Sequence, residues 1–244
     1  MARIKIESIA EELTAEGWKV LSTDYQNLDT EMEFECSEGH KVFAPWKKIR
    51  TKRECPICKK NSLKDIKPVL VTKKKGQRRI LALDQSTHLT GYSVFDSDQL
   101  VTYGIYEAKK KDEPQRIHEI KEWFVSLVEN YQPDYVGIEG IQYQEESSGN
   151  KMGVTVFQAL ARLQGVLIET CVELGIPHQI AMTNTWRAHC GVKGRARADK
   201  KRSMQMLVKQ WYDISVSDDI ADAIGIGKFT SETISQKVEL EDWE

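Results

Sequence analysis

Two short apolar runs in this chain carry an acidic residue at their carboxyl end. RILALD (79–84) ends at Asp84, and DYVGIEG (134–140) has Glu139 next to its last residue. Apolar runs of this length are typical of buried strands in a central sheet. An acid in such a place is costly to bury unless it binds a cation. The two runs therefore predict central strands whose acids belong to a metal site.

The order of elements after residue 79 predicts an α/β domain with a mixed sheet and helices on both of its faces. Further strands are expected at 90–96, 100–107 and 177–182. Helices are expected at 114–131, 153–175, 198–211 and 217–227. Between the last strand and the third of these helices, Thr183 is placed to cap a further short helix.

Asp219 and Asp222 lie at positions i and i+3 near the start of the last predicted helix, and so on one face of it. Taken alone, the pair would be explained by compensation of the helix dipole, and Asp218 could cap the helix instead of binding metal. Together with Asp84 and Glu139, the pair predicts a cluster of four carboxylates. Hard oxygen ligands without histidines favour Mg²⁺ or Mn²⁺. Two such ions about 4 Å apart would activate a water and stabilise the leaving oxygen of a phosphodiester.

Three of the five cysteines cluster near the N-terminus. Cys36 and His40 precede a CxxC turn formed by Cys55 and Cys58, and four such ligands can hold one structural Zn²⁺. An odd cysteine count without a secretion signal argues against a disulfide framework. A water or another side chain could replace His40, and a chance grouping of reduced cysteines is the alternative.

Positive charge is concentrated beside the cysteines. Residues 41–79 contain 15 Lys and Arg side chains against two acidic ones, although the whole chain has a net charge of −2. This imbalance favours nucleic-acid contact over a solvated flexible linker. Phe43 and Trp46 fit either the DNA-facing loop or the core of the zinc module. DNA contacts are expected from Lys47, Lys48 and Arg50.

A second basic stretch, GVKGRARADKKR (191–202), carries six cations against one acid between two predicted helices. Such a stretch would neutralise DNA phosphates, and an exposed charged loop is the alternative. The candidate phosphate-binding residues are Lys193, Arg195, Arg197, Lys200 and Lys201.

The chain is expected to have four parts. These are a zinc-binding, DNA-contacting module at 1–66, a basic linker at 67–78, the α/β domain at 79–228 and an acidic tail at 229–244. No apolar run approaches the roughly 20 residues of a membrane span, and the N-terminus has no signal-peptide core. A cytoplasmic protein without a membrane partner is therefore expected.

Three stretches resemble motifs of the RuvC Holliday-junction resolvases. LALDQSTHLTGYSVFD is similar to the first strand and turn of that family, DYVGIEG to its glutamate strand, and DDIADAIGIG to its final helix. The resemblance covers roughly 79–228 and implies an RNase H-like fold. It also implies that the four acids bind metal and that a homodimer nicks four-way DNA junctions in pairs, leaving 5′-phosphate ends. In this chain Gln85 and Ser86 replace the family's proline and glycine, and the N-terminal module, which resembles zinc ribbons, is additional.

The resemblance also points to contacts beyond the acids. In the family an aromatic residue after the glutamate strand wedges at the junction centre, and Tyr143 is the candidate here. The helix at 153–175 is apolar over more than one face, which favours a homodimer interface over burial within one subunit. The other functions considered are a nuclease for forks, flaps or RNA–DNA hybrids and a non-catalytic DNA-binding adaptor on the same fold.

Overall fold

The structure is a computed structural model that describes residues 5–52, 55–58, 72–73, 76–142 and 152–241. The chain divides into two compact units, Met1–Asp65 and Ile66–Glu244. Most of the predicted linker 67–78 lies outside the described residues.

In the described residues, the N-terminal unit is a small antiparallel sheet with one helix before it and helical residues after it. Its elements are α1 (Ile6–Thr14), β1 (Lys19–Val20), β2 (Glu31–Glu35), β3 (Lys41–Pro45) and α2 (Trp46–Lys52), and the strand order is β1-β2-β3. Alternation in β2 turns Met32 and Phe34 into the core, where they join Ile9 and Leu13 of α1. Trp46 is fully buried in the same core, which decides between the two roles open to it from the sequence.

The second unit contains the expected series of three strands, helix, strand, helix, strand and helices. Its strands are β4 (Arg79–Asp84), β5 (Leu89–Asp96), β6 (Gln99–Glu107), β7 (Tyr135–Gly140) and β8 (His178–Met182). Its helices are α3 (Glu113–Tyr131), α4 (Met152–Glu173), α5 (Thr183–Cys190), α6 (Arg197–Tyr212) and α7 (Asp218–Glu241).

The five strands form one mixed sheet in the order β6-β5-β4-β7-β8. Short turns make β4, β5 and β6 an antiparallel meander, whereas β4, β7 and β8 run parallel, with helical crossovers between them. Parallel strands end at the same edge of a sheet. The carboxyl ends of β4, β7 and β8 therefore lie side by side, and the predicted fold class is confirmed.

Helices cover both faces of this sheet. Leu81 and Leu83 point toward α3 and α4 on one face, while Ile80 and Ala82 point toward α5, α6 and α7 on the other. All four side chains are at most 1% exposed, as expected of a strand at the centre of a three-layer domain.

The last helix is longer than the sequence analysis predicted. It runs to Glu241, so much of the segment expected to be an acidic tail is helical. Thr230, Ser231 and Ile234 are buried, and Ile234 joins the core cluster beneath the sheet. The apolar face thus continues through a stretch whose composition is mostly polar. No helix in the described part of the chain is long and apolar enough to cross a membrane.

Candidate active site and metal centres

The four predicted acids come from three elements that meet at one edge of the sheet. Asp84 ends β4, and Glu139 lies one residue before the end of the parallel strand β7. The first turns of α7 carry Asp219 and Asp222, and this helix packs against β4 and β5. The charges of the other three acids all act on Asp84, so the structure brings the four residues together.

Asp84 lies in an environment that disfavours its charged form. Burial raises the pKa of Asp84 well above its usual range, and the charges of Glu139, Asp222 and, less strongly, Asp219 raise it further. Carboxylates held in this way repel one another unless a cation lies between them.

Asp222 supports a cation site from the helix side. Burial raises the pKa of Asp222 to about 6, although Arg187 opposes the shift by donating from Nη2 to Asp222 Oδ2 at 2.8 Å. The second oxygen, Oδ1, is buried, and none of the described residues hydrogen-bonds to it. An acceptor with an unfilled lone pair beside a carboxylate cluster fits a divalent cation with hard oxygen ligands.

Lys201 belongs to this edge as well, although the sequence analysis placed it among phosphate contacts. Its ammonium group forms an ion pair with Asp218 and lies 4.0 Å from Asp219 Oδ1. Burial lowers the pKa of Lys201, but Asp218 and Asp219 outweigh burial and the pKa is raised. Lys201 therefore remains charged beside the acids, and Asp218 is engaged by it.

The sequence analysis was wrong about Thr183, which does not cap α5. The helix begins after Met182, with no side-chain cap. The Thr183 hydroxyl instead lies 3.1 Å from Glu139 Oε1 and 3.1 Å from the Gly140 carbonyl oxygen. Trp186 Nε1 donates to the same Glu139 oxygen at 3.2 Å. The hydroxyl donates to an oxygen of β7 instead of accepting from a backbone N–H in the first turn of α5.

The backbone of Glu139 is held by two amides that the sequence analysis did not assign. Gln85 Nε2 and Gln164 Nε2 each donate to the Glu139 carbonyl oxygen at 2.7 Å. Gln85 stands where the family motif has proline, so this departure has a defined contact at the site. Neither contact leaves a local signal, because the partners are distant in sequence.

The other predicted phosphate contacts of the stretch 191–202 lie at the surface of the second unit or partly buried there. Lys193 and Arg195 are exposed in the loop before α6, and Arg197 is exposed as the first residue of that helix. Lys200 is half-buried in the first turn of α6. Tyr143 lies outside the described residues.

The N-terminal unit contains the predicted zinc ligands as one cluster. The ligand atoms of Cys36, His40, Cys55 and Cys58 all lie within 4.8 Å of one another. Cys36 Sγ is 3.5 Å from His40 Nδ1 and 3.6 Å from Cys58 Sγ, and His40 Nδ1 is 3.1 Å from Cys58 Sγ. Ligand separations in tetrahedral zinc sites are about 3.5–3.8 Å, from Zn–S and Zn–N bond lengths. The cluster therefore fits a tetrahedral Cys₃His site.

Cationic and aromatic side chains are both exposed on this unit. Lys47, Lys48 and Arg50 are exposed on α2. Phe43 is 71% exposed on β3, directly opposite Glu33 in the register with β2. Phe43 is therefore on the surface of this unit and, unlike Trp46, is not part of its core.

Comparison with known proteins identifies the family. The family model described as crossover junction endodeoxyribonuclease RuvC matches residues 80–228, more than half of the chain and a span that contains all four acids. The chain belongs to the RuvC family. This confirms the resemblance inferred from the sequence motifs.

Two RuvC proteins illustrate the relationship. The crossover junction endodeoxyribonuclease RuvC of Syntrophomonas wolfei is 30% identical over 156 residues, covering 61% of this chain and 85% of that protein. The RuvC of Brevibacillus brevis is 30% identical over 155 residues, covering 61% of this chain and 88% of that protein. Among solved structures, T. thermophilus RuvC in complex with a Holliday junction substrate covers 62% of this chain and 90% of that chain, at 11% identity and a TM-score of 0.49. The family assignment rests on the sequence matches.

Proposed function

We propose that this chain is a metal-dependent endonuclease that resolves Holliday junctions by paired, symmetric nicks. The observation that carries the proposal is the convergence of Asp84, Glu139, Asp219 and Asp222 at one edge of the sheet in a member of the RuvC family. The relatives are named crossover junction endodeoxyribonucleases, and all four acids of a phosphodiester-cleaving site are present.

The carboxylates would hold two Mg²⁺ or Mn²⁺ ions. When bound, such ions lower the pKa of an attacking water and neutralise charge on the leaving oxygen of a phosphodiester. Asp84 and Glu139 offer ligands from two neighbouring strand ends, and α7 offers Asp219 and Asp222 from the opposite side. Hydrolysis would leave 5′-phosphate and 3′-hydroxyl ends.

The residues around the acids bind and orient the substrate. Lys193, Arg195, Arg197 and Lys200 are placed to neutralise phosphates, and Lys201 adds a half-buried positive charge next to Asp218. In the N-terminal unit, a structural Zn²⁺ on Cys36, His40, Cys55 and Cys58 would hold α2 so that Lys47, Lys48 and Arg50 contact DNA. Tyr143 is the proposed junction wedge.

A homodimer suits a substrate with two equivalent strands to cut, because an isologous pair places two sites about a two-fold axis. The helix α4 offers a surface for it. Leu163 and Leu167 are fully buried against the sheet, whereas Val154, Val156 and Val172 are 40%, 53% and 67% exposed. Val154 and Val172 lie on one face of the helix, opposite Leu163, and are the proposed partner-facing side. Light scattering at micromolar concentration should give twice the chain mass, and a monomeric mass on junction DNA would contradict the dimer.

The decisive test compares substrates under identical conditions. The full chain is incubated with a four-way junction, a replication fork, a flap and an RNA–DNA hybrid, each with Mg²⁺ or with EDTA. We expect symmetric paired nicks in the junction with Mg²⁺ and none in EDTA. Preferential cleavage of the fork, flap or hybrid would show that this structure, and not the four-way junction, is the substrate. Binding of the junction without any cleavage in Mg²⁺ or Mn²⁺ would make the chain an adaptor.

A further inference from the structure

The short helix α5 presents three side chains to the carboxylate cluster at positions i, i+3 and i+4. Thr183 and Trp186 reach Glu139 Oε1, and Arg187 reaches Asp222 Oδ2. These positions lie on one face of a helix. Because β8 is parallel to β7 and pairs Met182 with Gly140, the helix that follows β8 begins where β7 ends.

Both donors to the Glu139 carboxylate select the same oxygen. The Trp186 indole N–H is 3.2 Å from Oε1 and has no other hydrogen to donate. The Thr183 hydroxyl lies equally close to Oε1 and to the Gly140 carbonyl oxygen, and a charged carboxylate is the stronger acceptor of the two. With Oε1 engaged in this way, Oε2 is the oxygen left for a cation.

The indole is itself locked in place. Trp186 is fully buried, and a Cβ added to Gly225 would lie 2.8 Å from its ring. The ring therefore packs directly on α7, the helix that carries Asp219 and Asp222. The Arg187 guanidinium also lies 5.0 Å from the Trp186 ring centroid. Trp186 thus hydrogen-bonds to the glutamate of β7 and packs on the helix that carries the two aspartates.

The Glu139 backbone is fixed independently of its carboxylate. The amides of Gln85 and Gln164 both donate to its carbonyl oxygen. The backbone position from which the Glu139 side chain extends is therefore fixed by contacts that do not involve the carboxylate. Only rotation about the side-chain bonds remains free, and the two donors of α5 act on that rotation.

We propose that Trp186 and Thr183 are positioning residues that hold Glu139 Oε1 and thereby present Oε2 to the metal. The inference rests on the proposed function, since it assigns Glu139 to the metal site. Partners of this kind, which hydrogen-bond a metal ligand from behind, alter metal affinity by about 10–100-fold when removed. Their loss should therefore weaken metal binding before it changes DNA binding.

The test uses full-length variants that remove one donor each. Trp186→Phe removes the indole N–H, and Thr183→Val removes the hydroxyl. Mn²⁺ affinity is measured by electron paramagnetic resonance on DNA-free protein, and the Mg²⁺ concentration for half-maximal junction cleavage is measured separately. We expect Mn²⁺ affinity to fall, and the half-maximal Mg²⁺ concentration to rise, by about 10-fold or more. Junction affinity in EDTA should be unchanged, and cleavage should recover at high Mg²⁺.

Two further variants separate positioning from packing. Thr183→Ser keeps a hydroxyl and should restore Mn²⁺ affinity. Thr170→Val removes a buried hydroxyl that, within the described residues, donates to the Val166 carbonyl oxygen and not to the cluster, so it should leave Mn²⁺ affinity unchanged. If Trp186→Phe does not fold, the Thr183→Val and Thr183→Ser pair decides alone.

The outcomes distinguish this inference from the proposed function. Folded Thr183→Val and Trp186→Phe proteins with wild-type Mn²⁺ affinity and Mg²⁺ dependence would overturn the positioning role, even if the wild type cleaves junctions. A wild type that binds Mn²⁺ but cuts no junction would overturn the proposed function. Weakened Mn²⁺ binding in both variants would then still support the positioning role.

Discussion

Gly91 lies directly against the backbone of Asp219. A Cβ at Gly91 would overlap the Asp219 carbonyl oxygen and lie 2.8 Å from its carbonyl carbon. Gly91 is also the residue paired with Asp84 across β4 and β5. The absence of a side chain at this one position lets the start of α7 approach the end of β4, and so brings the acids of the helix to the acid of the strand.

Gly91→Ala should therefore separate the two halves of the site. Because the obstacle is backbone, the start of α7 must shift, and we expect junction cleavage to fall by at least about 100-fold, as misplacement by about 1 Å can do. Gly165→Ala is the matched substitution, since nothing lies within 4 Å of a Cβ added there, and it should unfold at an equal or higher temperature than the wild type. Wild-type cleavage by Gly91→Ala would show that the close approach is dispensable.

Neutralising the strand acids should abolish cleavage and spare binding. Asp84→Asn and Glu139→Gln each remove a metal ligand while the basic residues stay in place. We expect no detectable nicking at physiological Mg²⁺ and near-normal junction affinity in gel-shift assays. Asp98→Asn, an exposed turn acid, is the control and should cleave normally. Normal cleavage by either strand variant would remove that residue from the site.

Asp84→Asn should also stabilise the metal-free protein. The pKa of Asp84 is raised by burial and by neighbouring carboxylates, so its charged form is unfavourable in the folded state. Each kilocalorie per mole gained would raise Tm by about 2–4 °C in a chain of this size. A lower Tm than wild type in EDTA at pH 7.5 would contradict the repulsion inferred for the cluster.

The stability of the metal-free protein should depend on pH through Asp222. Its folded pKa of about 6 lies above the ordinary value of 3.8, so the stabilisation from the protonated form is complete below about pH 4. It is lost as the pH rises through 6. We therefore expect Tm in EDTA to fall over this range. Asp222→Asn should make Tm in EDTA less dependent on pH over this range.

Metal should reverse this loss. Mg²⁺ binds the ionised carboxylates, so it should raise Tm at pH 7.5 and much less at pH 5. Thermal unfolding with EDTA or Mg²⁺ at the two pH values measures the effect. A Tm that Mg²⁺ raises equally at both values would exclude these carboxylates as its site.

The sequence indicated the four acids of the cluster but not the side chains that hydrogen-bond to Glu139. Asp84 and Glu139 could be found because each marks the end of its own apolar strand, which is a local pattern. Thr183 and Trp186 lie 44 and 47 residues from their partner Glu139, and only the parallel pairing of β7 with β8 brings them together. A hydroxyl at the start of a short helix most simply predicts a cap, in which it would accept from a backbone N–H. Only the fold shows the oxygens of β7 to which it donates.

The end of α7 shows a second limit of sequence patterns. The polar residues from Thr230 to Thr233 resemble a tail in composition, yet Thr230 and Ser231 are buried. Thr230 lies over Gly137, where an added Cβ would be 3.1 Å from the Thr230 Cβ. A small polar side chain fits above a glycine of the central sheet, where a large apolar one would not. Hydrophobic periodicity therefore misses a helix turn that is buried through small residues.

The N-terminal unit should contain one zinc ion per chain. Burial and the neighbouring thiols of Cys55 and Cys36 raise the pKa of Cys58, so without metal this thiol keeps its proton. Zn²⁺ binds thiolates and displaces their protons. Elemental analysis of protein purified without chelator should find about one zinc per chain. Cys55→Ser should lose most of it and make the N-terminal unit sensitive to protease.

Two substitutions make the zinc test specific for the ligand set. Cys171→Ala changes a fully buried cysteine of the other unit and should keep the zinc. His40→Ala should weaken zinc binding, whereas His40→Cys supplies a fourth thiolate and should retain it, because Cys₄ and Cys₃His sites are both tetrahedral. Full zinc occupancy in Cys55→Ser would show that the cluster is not the binding site. Full occupancy in His40→Ala would show that a water or another side chain completes the coordination.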